Sequence, residues 1–247
     1  MPIVVSDPRP GVRLLRLNRP EALNALNGAL WLALGKELSN AETDAAVRCV
    51  VLAGNDRAFS AGADLKEMRQ GALPPYVAPE RIASRRILEA FVKPLIAAVN
   101  GYALGGGCEL MLNCDLVVAG RNAKIGTPEV KVGNFPAAGG THLLPRFVGK
   151  ARALHMILTG EILDAQKALE WGLINWITDT GKTVETALEM AERIAGYSPL
   201  ATQLTKADLL ESIVDRQAVG NALEKKMLLW QSDDRVQAVK GFSERKA

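Results

Sequence analysis

Glu109 follows Gly105, Gly106, Gly107 and Cys108 and precedes the apolar run Leu110–Leu112. The run before the glycines, Leu95–Val99, is short and mostly apolar, starts after Pro94 and ends at the turn signal Asn100-Gly101. That pattern reads as a buried strand, then bare backbone, then the first turns of a buried helix. With no Cβ in the way, a ligand can approach the glycine backbone closely. The first N–H groups of the helix lack partners within it, and its dipole favours negative charge there. An oxyanion held beside a glutamate suits proton transfer next to a carbonyl.

Each of these features also has a plainer reading. A glycine run of this kind is as often tight strand–helix packing as a ligand cradle. Glu109 is either one half of a salt bridge to Arg or Lys, or a desolvated carboxylate poised for acid–base work. Glu129, after Pro128, reads alone as a solvated turn residue, although two carboxylates facing one cavity would explain both. Ala61-Gly62-Ala63 is a second small-residue loop after a strand. Two such loops can each offer one backbone N–H to one oxygen. The phosphate-binding glycine patterns are absent, since Leu110 stands where a third spaced glycine belongs and no Gly-Lys-Ser/Thr follows. Ser60 has no nucleophile-elbow surroundings. Cys108 has no histidine nearby in sequence, so both read as packing residues.

The elements that must position these groups alternate. Strands are expected at Ile3–Val5 and Val12–Leu17, in a hairpin-like start, and again at Cys49–Ala53, Leu95–Val99, Leu116–Ala119, Lys124–Gly126 and Leu173–Ile177. Asn27 is placed to cap a helix through Leu38, with Leu30, Leu34 and Leu38 in a stripe. Ala58–Asp64 reads as a loop and residues 70–79 as a surface loop. Arg81–Phe91 reads as an amphipathic helix with Ile82, Leu88 and Phe91 inward. Ala165–Trp171 is a further short helix. The class is therefore α/β with a largely parallel sheet. From Val184 onward the pattern is helical, with Val219, Leu223, Met227 and Trp230 in a stripe that needs a partner surface. The boundary divides a core of residues 1–183 from a helical region of residues 184–247 suited to oligomerisation.

At 247 residues, the chain fits one large domain with an appendage. A net charge of +3 is too small to point to a nucleic-acid protein. Three cysteines form no metal spacing, and two histidines weaken any triad or His-rich metal site. The N-terminus lacks the basic and apolar regions of a signal peptide, and the central apolar stretch is interrupted by Asn100, glycines and Glu109. A cytoplasmic protein with no membrane partner is expected.

Four segments in order, Leu17–Leu26 (LNRPEALNAL), Ala58–Met68 (AFSAGADLKEM), Lys93–Leu110 (KPLIAAVNGYALGGGCEL) and Thr127–Thr141 (TPEVKVGNFPAAGGT), resemble the crotonase (enoyl-CoA hydratase/isomerase) superfamily. The resemblance runs from about residue 12 to Glu244–Lys246. It implies a spiral of ββα units in two stacked sheets, with a helical C-terminal region that builds a homotrimer or a dimer of trimers. It also implies an acyl-CoA thioester substrate, with no metal and no separate cofactor. The thioester oxygen would lie between the N–H groups of Ala63 and Gly106. Ala22, Ala61, Asp64, Leu65, Lys66 and Ala137 would contribute to the substrate and CoA site, and Phe242 and Arg245 match tail positions that reach CoA on a neighbouring subunit.

By the same resemblance Glu109 and Glu129 are the two glutamates of hydratases. Glu109 would activate water for attack at Cβ, and Glu129 would exchange the proton at Cα. The implied reaction is reversible hydration of a trans-2-enoyl-CoA to a 3-hydroxyacyl-CoA, as in fatty-acid β-oxidation. Isomerases of the superfamily generally lack the glutamate matching Glu109. Ala137 stands where many hydratases have glycine, and its methyl, with Phe135, is expected to narrow the pocket. The alternatives are enoyl-CoA isomerisation, acyl-CoA hydrolysis, or a non-catalytic RNA-binding or assembly subunit of the same fold.

Overall fold

A computed structural model describes residues 1–70, 77–213 and 240. The chain begins with an antiparallel pair, β1 (Ile3–Arg9) and β2 (Val12–Leu17), joined by a tight turn. Asn27 then caps helix α1 (Gly28–Thr43), its side chain accepting the Leu30 N–H at 2.9 Å. The helix runs one turn past the expected end, with Leu30, Leu34, Leu38 and Ala41 fully buried along one face. Lys93 holds the far end, donating to the carbonyls of Ala41, Asp44 and Val47 at 2.7–2.8 Å. The Ala41 carbonyl is in the last turn of α1, Asp44 is its C-cap and Val47 lies in the turn that follows, so one cation satisfies acceptors at the helix C-terminus and just beyond it.

Three successive units then repeat one path. β3 (Cys49–Ala53), β5 (Leu95–Val99) and β7 (Leu116–Gly120) enter a six-stranded sheet in the order β1-β2-β3-β5-β7-β10, while β4 (Ala58–Ser60), β6 (Tyr102–Leu104) and β8 (Lys124–Gly126) enter a four-stranded sheet ending in β9 (Ile162–Asp164). Each consecutive pair thus sends one strand to each sheet before a helix carries the chain on, which makes a spiral of ββα units. β2, β3, β5, β7 and β10 (Trp176–Thr178) are parallel, as are β4, β6 and β8; β1 and β9 are antiparallel edges. The single largely parallel sheet read from strand alternation is therefore two sheets. β4, three residues long, lies within the stretch expected as a loop, and β9, equally short, has no counterpart among the expected strands.

β3 and β5 are buried at every position because both faces of the large sheet are covered. Val50, Leu52, Leu95 and Ala97 face a core shared with α1, whereas Cys49, Val51, Ile96 and Ala98 face Ala187, Leu188 and Ala191 of α7 (Thr183–Ala195). The remaining helices are α2 (Leu65–Gln70), α3 (Pro79–Ala90), α4 (Gly106–Leu112), α5 (Gly140–Thr159, broken at Gly149), α6 (Ala165–Glu170) and α8 (Pro199–Ile213). In α3 the buried positions are Arg81, Ser84, Arg85 and Leu88, with Ile82 only half-buried, so the inward face is more charged than its apolar pattern implies. Among the described residues no helix is long and apolar enough to cross a membrane. The tail stripe from Val219 to Trp230 lies outside the described residues.

Candidate active site

The first and second sequence segments are bound to each other. Leu26 N–H donates to the Gly62 carbonyl at 2.7 Å, Ala61 N–H to the Leu23 carbonyl at 3.0 Å, and Arg19 pairs with Asp64 at 3.0 Å. Asn24, fully buried, donates to the Ala58 carbonyl at 2.9 Å. The 61–64 loop is therefore fixed from beneath by the 19–26 segment, and Ala22 belongs to that scaffold.

Beside this loop lies the start of α4. A Cβ on Gly106 would stand 3.7 Å from the Ala63 nitrogen, so the two backbones are neighbours. Among the described residues neither the Ala63 nor the Gly106 N–H donates to an acceptor. The flanking glycines have steric reasons. Gly105 adopts φ +53°, and a Cβ there would lie 3.2 Å from Glu129 Oε1; a Cβ on Gly107 would lie 2.2 Å from the Ser60 carbonyl oxygen. The glycine run is thus both tight packing and bare backbone.

Glu109, 3% exposed, projects from the first turn of α4. It is not held by a salt bridge among the described residues. Its Oε1 accepts the N–H groups of Ala138 at 2.6 Å and Gly140 at 3.0 Å, where α5 begins. Two neutral dipoles stabilise the carboxylate without neutralising it. Glu129 follows Pro128 in a 3₁₀ turn, Pro128–Val132.

Ala61, Ala63, Asp64, Leu65, Gly106, Glu109 and Glu129 all line one cavity of about 450 Å3. Lys66 is exposed beside it and does not line it. Ala137 is fully buried behind the wall, and Ala138 and Asn134 present that segment to the cavity instead. Phe135 is half-buried and also lies outside the lining. Phe242 and Arg245 lie outside the described residues. Cys108 is fully buried; burial, with Glu129 and Glu109 nearby, pushes its thiol well above the ordinary range, which removes it as a thiolate nucleophile. Sequence reading missed the Ala138 and Gly140 donors, because a backbone N–H has no letter in the sequence. It did not single out Trp31 or Lys131, which also line the cavity, whereas Arg81 and Arg85 fall in the stretch 69–91 that the sequence places at the pocket without naming residues.

Residues 8–247 match the family described as Enoyl-CoA hydratase/isomerase. The chain belongs to that family. Its relatives include the 2,3-dehydroadipyl-CoA hydratase of Escherichia coli, 46% identical over 95% of this chain and 93% of that protein. The mitochondrial enoyl-CoA hydratase of Pongo abelii is 40% identical over 95% of this chain and 82% of that one. Among solved structures, carnitinyl-CoA hydratase from Mycobacterium avium superposes with a TM-score of 0.90 at 38% identity, over 99% of this chain and 96% of the other. The two-sheet ββα spiral is accordingly the crotonase fold, and the relatives mark this family member as a hydratase enzyme.

Proposed function

We propose that the enzyme adds water reversibly across the 2,3 double bond of a trans-2-enoyl-CoA to give a 3-hydroxyacyl-CoA. The observation that carries this reading is the meeting of Glu109, Glu129, Ala63 and Gly106 on one cavity. The thioester oxygen accepts the N–H groups of Ala63 and Gly106, and the enolate charge that develops there is worth roughly 3–4 kcal/mol per well-placed donor. Both described bonds to Glu109 fall on Oε1, which leaves Oε2 to orient and deprotonate a water. As Glu109 takes one proton from the water, the water oxygen bonds to Cβ and the π electrons shift through Cα to the thioester oxygen. Protonated Glu129 gives its proton to Cα as the enolate collapses, and the proton left on Glu109 passes to Glu129 to restore the pair. Two coupled carboxylates sharing one water act as a unit. Hydroxyl and proton both come from water, so the reaction balances without a redox partner.

An isomerase needs only one proton carrier beside the oxyanion site. The second carboxylate, anchored by two donors of its own, favours hydration. The test is loss of the conjugated-thioester absorbance of crotonyl-CoA, with the product identified by mass. A product 18 Da heavier supports hydration, and an unchanged mass with a shifted double bond sinks it. Helix α8 leaves Leu200, Leu204 and Leu209 at 67%, 60% and 58% exposure, which supports self-association to a trimer or a dimer of trimers. Sedimentation at the monomer mass would exclude that assembly.

A further inference from the structure

The cavity wall built by α1, α2 and α3 differs from the wall that carries the glutamates. It is apolar at Trp31, Leu65 and Met68, and then cationic at Arg81 and Arg85, which sit one turn apart on α3. Arg81 is already engaged, because its guanidinium pairs with Glu67 and Glu67 also accepts the Gly28 N–H at 3.2 Å. Arg85 is different. Only 7% of it is exposed, yet among the described residues its guanidinium donates no hydrogen bond. Its one ion-pair neighbour is Glu89, 3.3 Å from Nε on the same helix and one-third exposed. An i,i+4 pair of that kind is weak: Nε is buried with no hydrogen-bond partner, and neither Nη group donates to another described residue. A buried guanidinium with open donors on the wall of a ligand cavity is costly in the empty protein and strongly favourable once a planar anion meets it.

We propose that Arg85 seats a carboxylate at the far end of the acyl chain, so that the enzyme favours ω-carboxylated 2-enoyl-CoA thioesters over their unsubstituted counterparts. The apolar stretch of Trp31, Leu65 and Met68 accommodates methylenes, and the guanidinium fork takes the terminal carboxylate in a bidentate pair. Lys131, the other cation on the cavity, is exposed and packs its methylenes at Gly160, where a Cβ would lie 2.7 Å from Lys131 Cε. It offers a mobile point charge and not a fork. The inference deepens the hydratase reading and rests on it for turnover, but not for binding.

The test therefore has two arms. The first compares the binding of two saturated six-carbon thioesters, adipyl-CoA and hexanoyl-CoA, to the full-length protein by calorimetry. Adipyl-CoA is expected to bind at least about 10-fold more tightly, and Arg85→Gln to reduce that preference by about 10- to 100-fold, with Arg85→Lys intermediate. The second arm compares kcat/KM for trans-2-hexenedioyl-CoA and trans-2-hexenoyl-CoA, with the same ratio expected to fall in the same order. Equal binding of the two saturated thioesters, or binding of neither, overturns the proposal on the wild-type protein alone, whether or not a variant folds. A preference that Arg85→Lys and Arg85→Gln leave unchanged overturns it as well. Equal, rapid hydration of both enoyl thioesters sinks the carboxylate seat and keeps the hydratase. Arg85-dependent binding of adipyl-CoA with no hydration of either enoyl thioester keeps the seat and sinks the hydratase.

Discussion

Glu109 in the first turn of α4 and Asp115 just past its end stand six residues apart, and their surroundings are opposite. Glu109 stands in the first turn, lines the cavity and is held by two backbone N–H groups on one oxygen. Asp115 follows the last turn, lines no cavity among those described, and is held by the Leu95 N–H at 2.7 Å and the Lys206 ammonium at 2.8 Å. Lys206 also donates to the Lys93 carbonyl and lies 5.5 Å over the Phe91 ring. Asp115 thus ties α8 to β5, and its charge is cancelled by its partner. Glu109 has no cationic partner among the described residues, and both of its described bonds fall on Oε1. A sheltered carboxylate matched by a cation is architecture; one matched only by dipoles, on a cavity wall, is available for chemistry.

The comparison breaks first at Glu109. Glu109→Gln keeps an acceptor for Ala138 and Gly140, so its melting temperature is expected to stay within a few degrees of wild type. Turnover of crotonyl-CoA should fall by about 10²–10⁴-fold, the range for losing a positioned acid–base group. A variant that melts much lower, or keeps most of its rate, would remove Glu109 from the chemistry. Asp115→Ala should do the reverse. It strands Leu95 N–H and Lys206, at a cost of about 2–3 kcal/mol in urea unfolding, while kcat per folded molecule is retained.

The next effect is smaller and tests the support of Glu109. Gly140 has no room for a side chain, because a Cβ would meet Pro136 Cβ at 2.5 Å and Glu109 Oε1 at 3.3 Å. Gly140→Ala is expected to shift the donor loop and cost up to about 100-fold in kcat, with less change in KM, since a misplacement near 1 Å has that scale. An equal rise in KM with kcat intact would mean that the loop shapes binding and not the water.

What could be read from the sequence follows the same division. The strand–glycine–helix of Leu95–Leu112 was legible because a continuous apolar run, a turn dipeptide and adjacent glycines leave few other conformations. Glu109 stood out as a buried charge. Its partners were not legible, because Ala138 and Gly140 act through backbone N–H groups 29 and 31 residues away. The inward face of α3 was misjudged for a related reason. Periodicity turns Ile82 inward on hydrophobicity, whereas the helix borders a cavity and turns Arg81 and Arg85 inward. β9 escaped because three residues on an antiparallel edge carry no period.

The smallest expected effect concerns the sign of two titrations. Burial pushes Asp64 upward, but the Arg19 hydrogen bond and the Lys66 and Glu67 N–H groups outweigh it and hold its carboxyl below the ordinary 3.8. Its contribution to stability is present above that value and lost as pH falls through the lower, folded-state pKa. For Asp115 burial dominates, and Lys206 and the Leu95 N–H only partly offset it, so its carboxyl sits above 3.8. Its contribution is complete below 3.8 and declines as pH rises through the raised, folded-state pKa. Urea midpoints from about pH 3 to pH 7 should therefore change slope in opposite directions in the two variants. Asp64→Asn should make the acid-side loss shallower, and Asp115→Asn should remove a decline on the higher-pH side. Slopes that change in the same direction would mean that Lys206 outweighs burial at Asp115, and that both carboxylates are ordinary stabilising ion pairs.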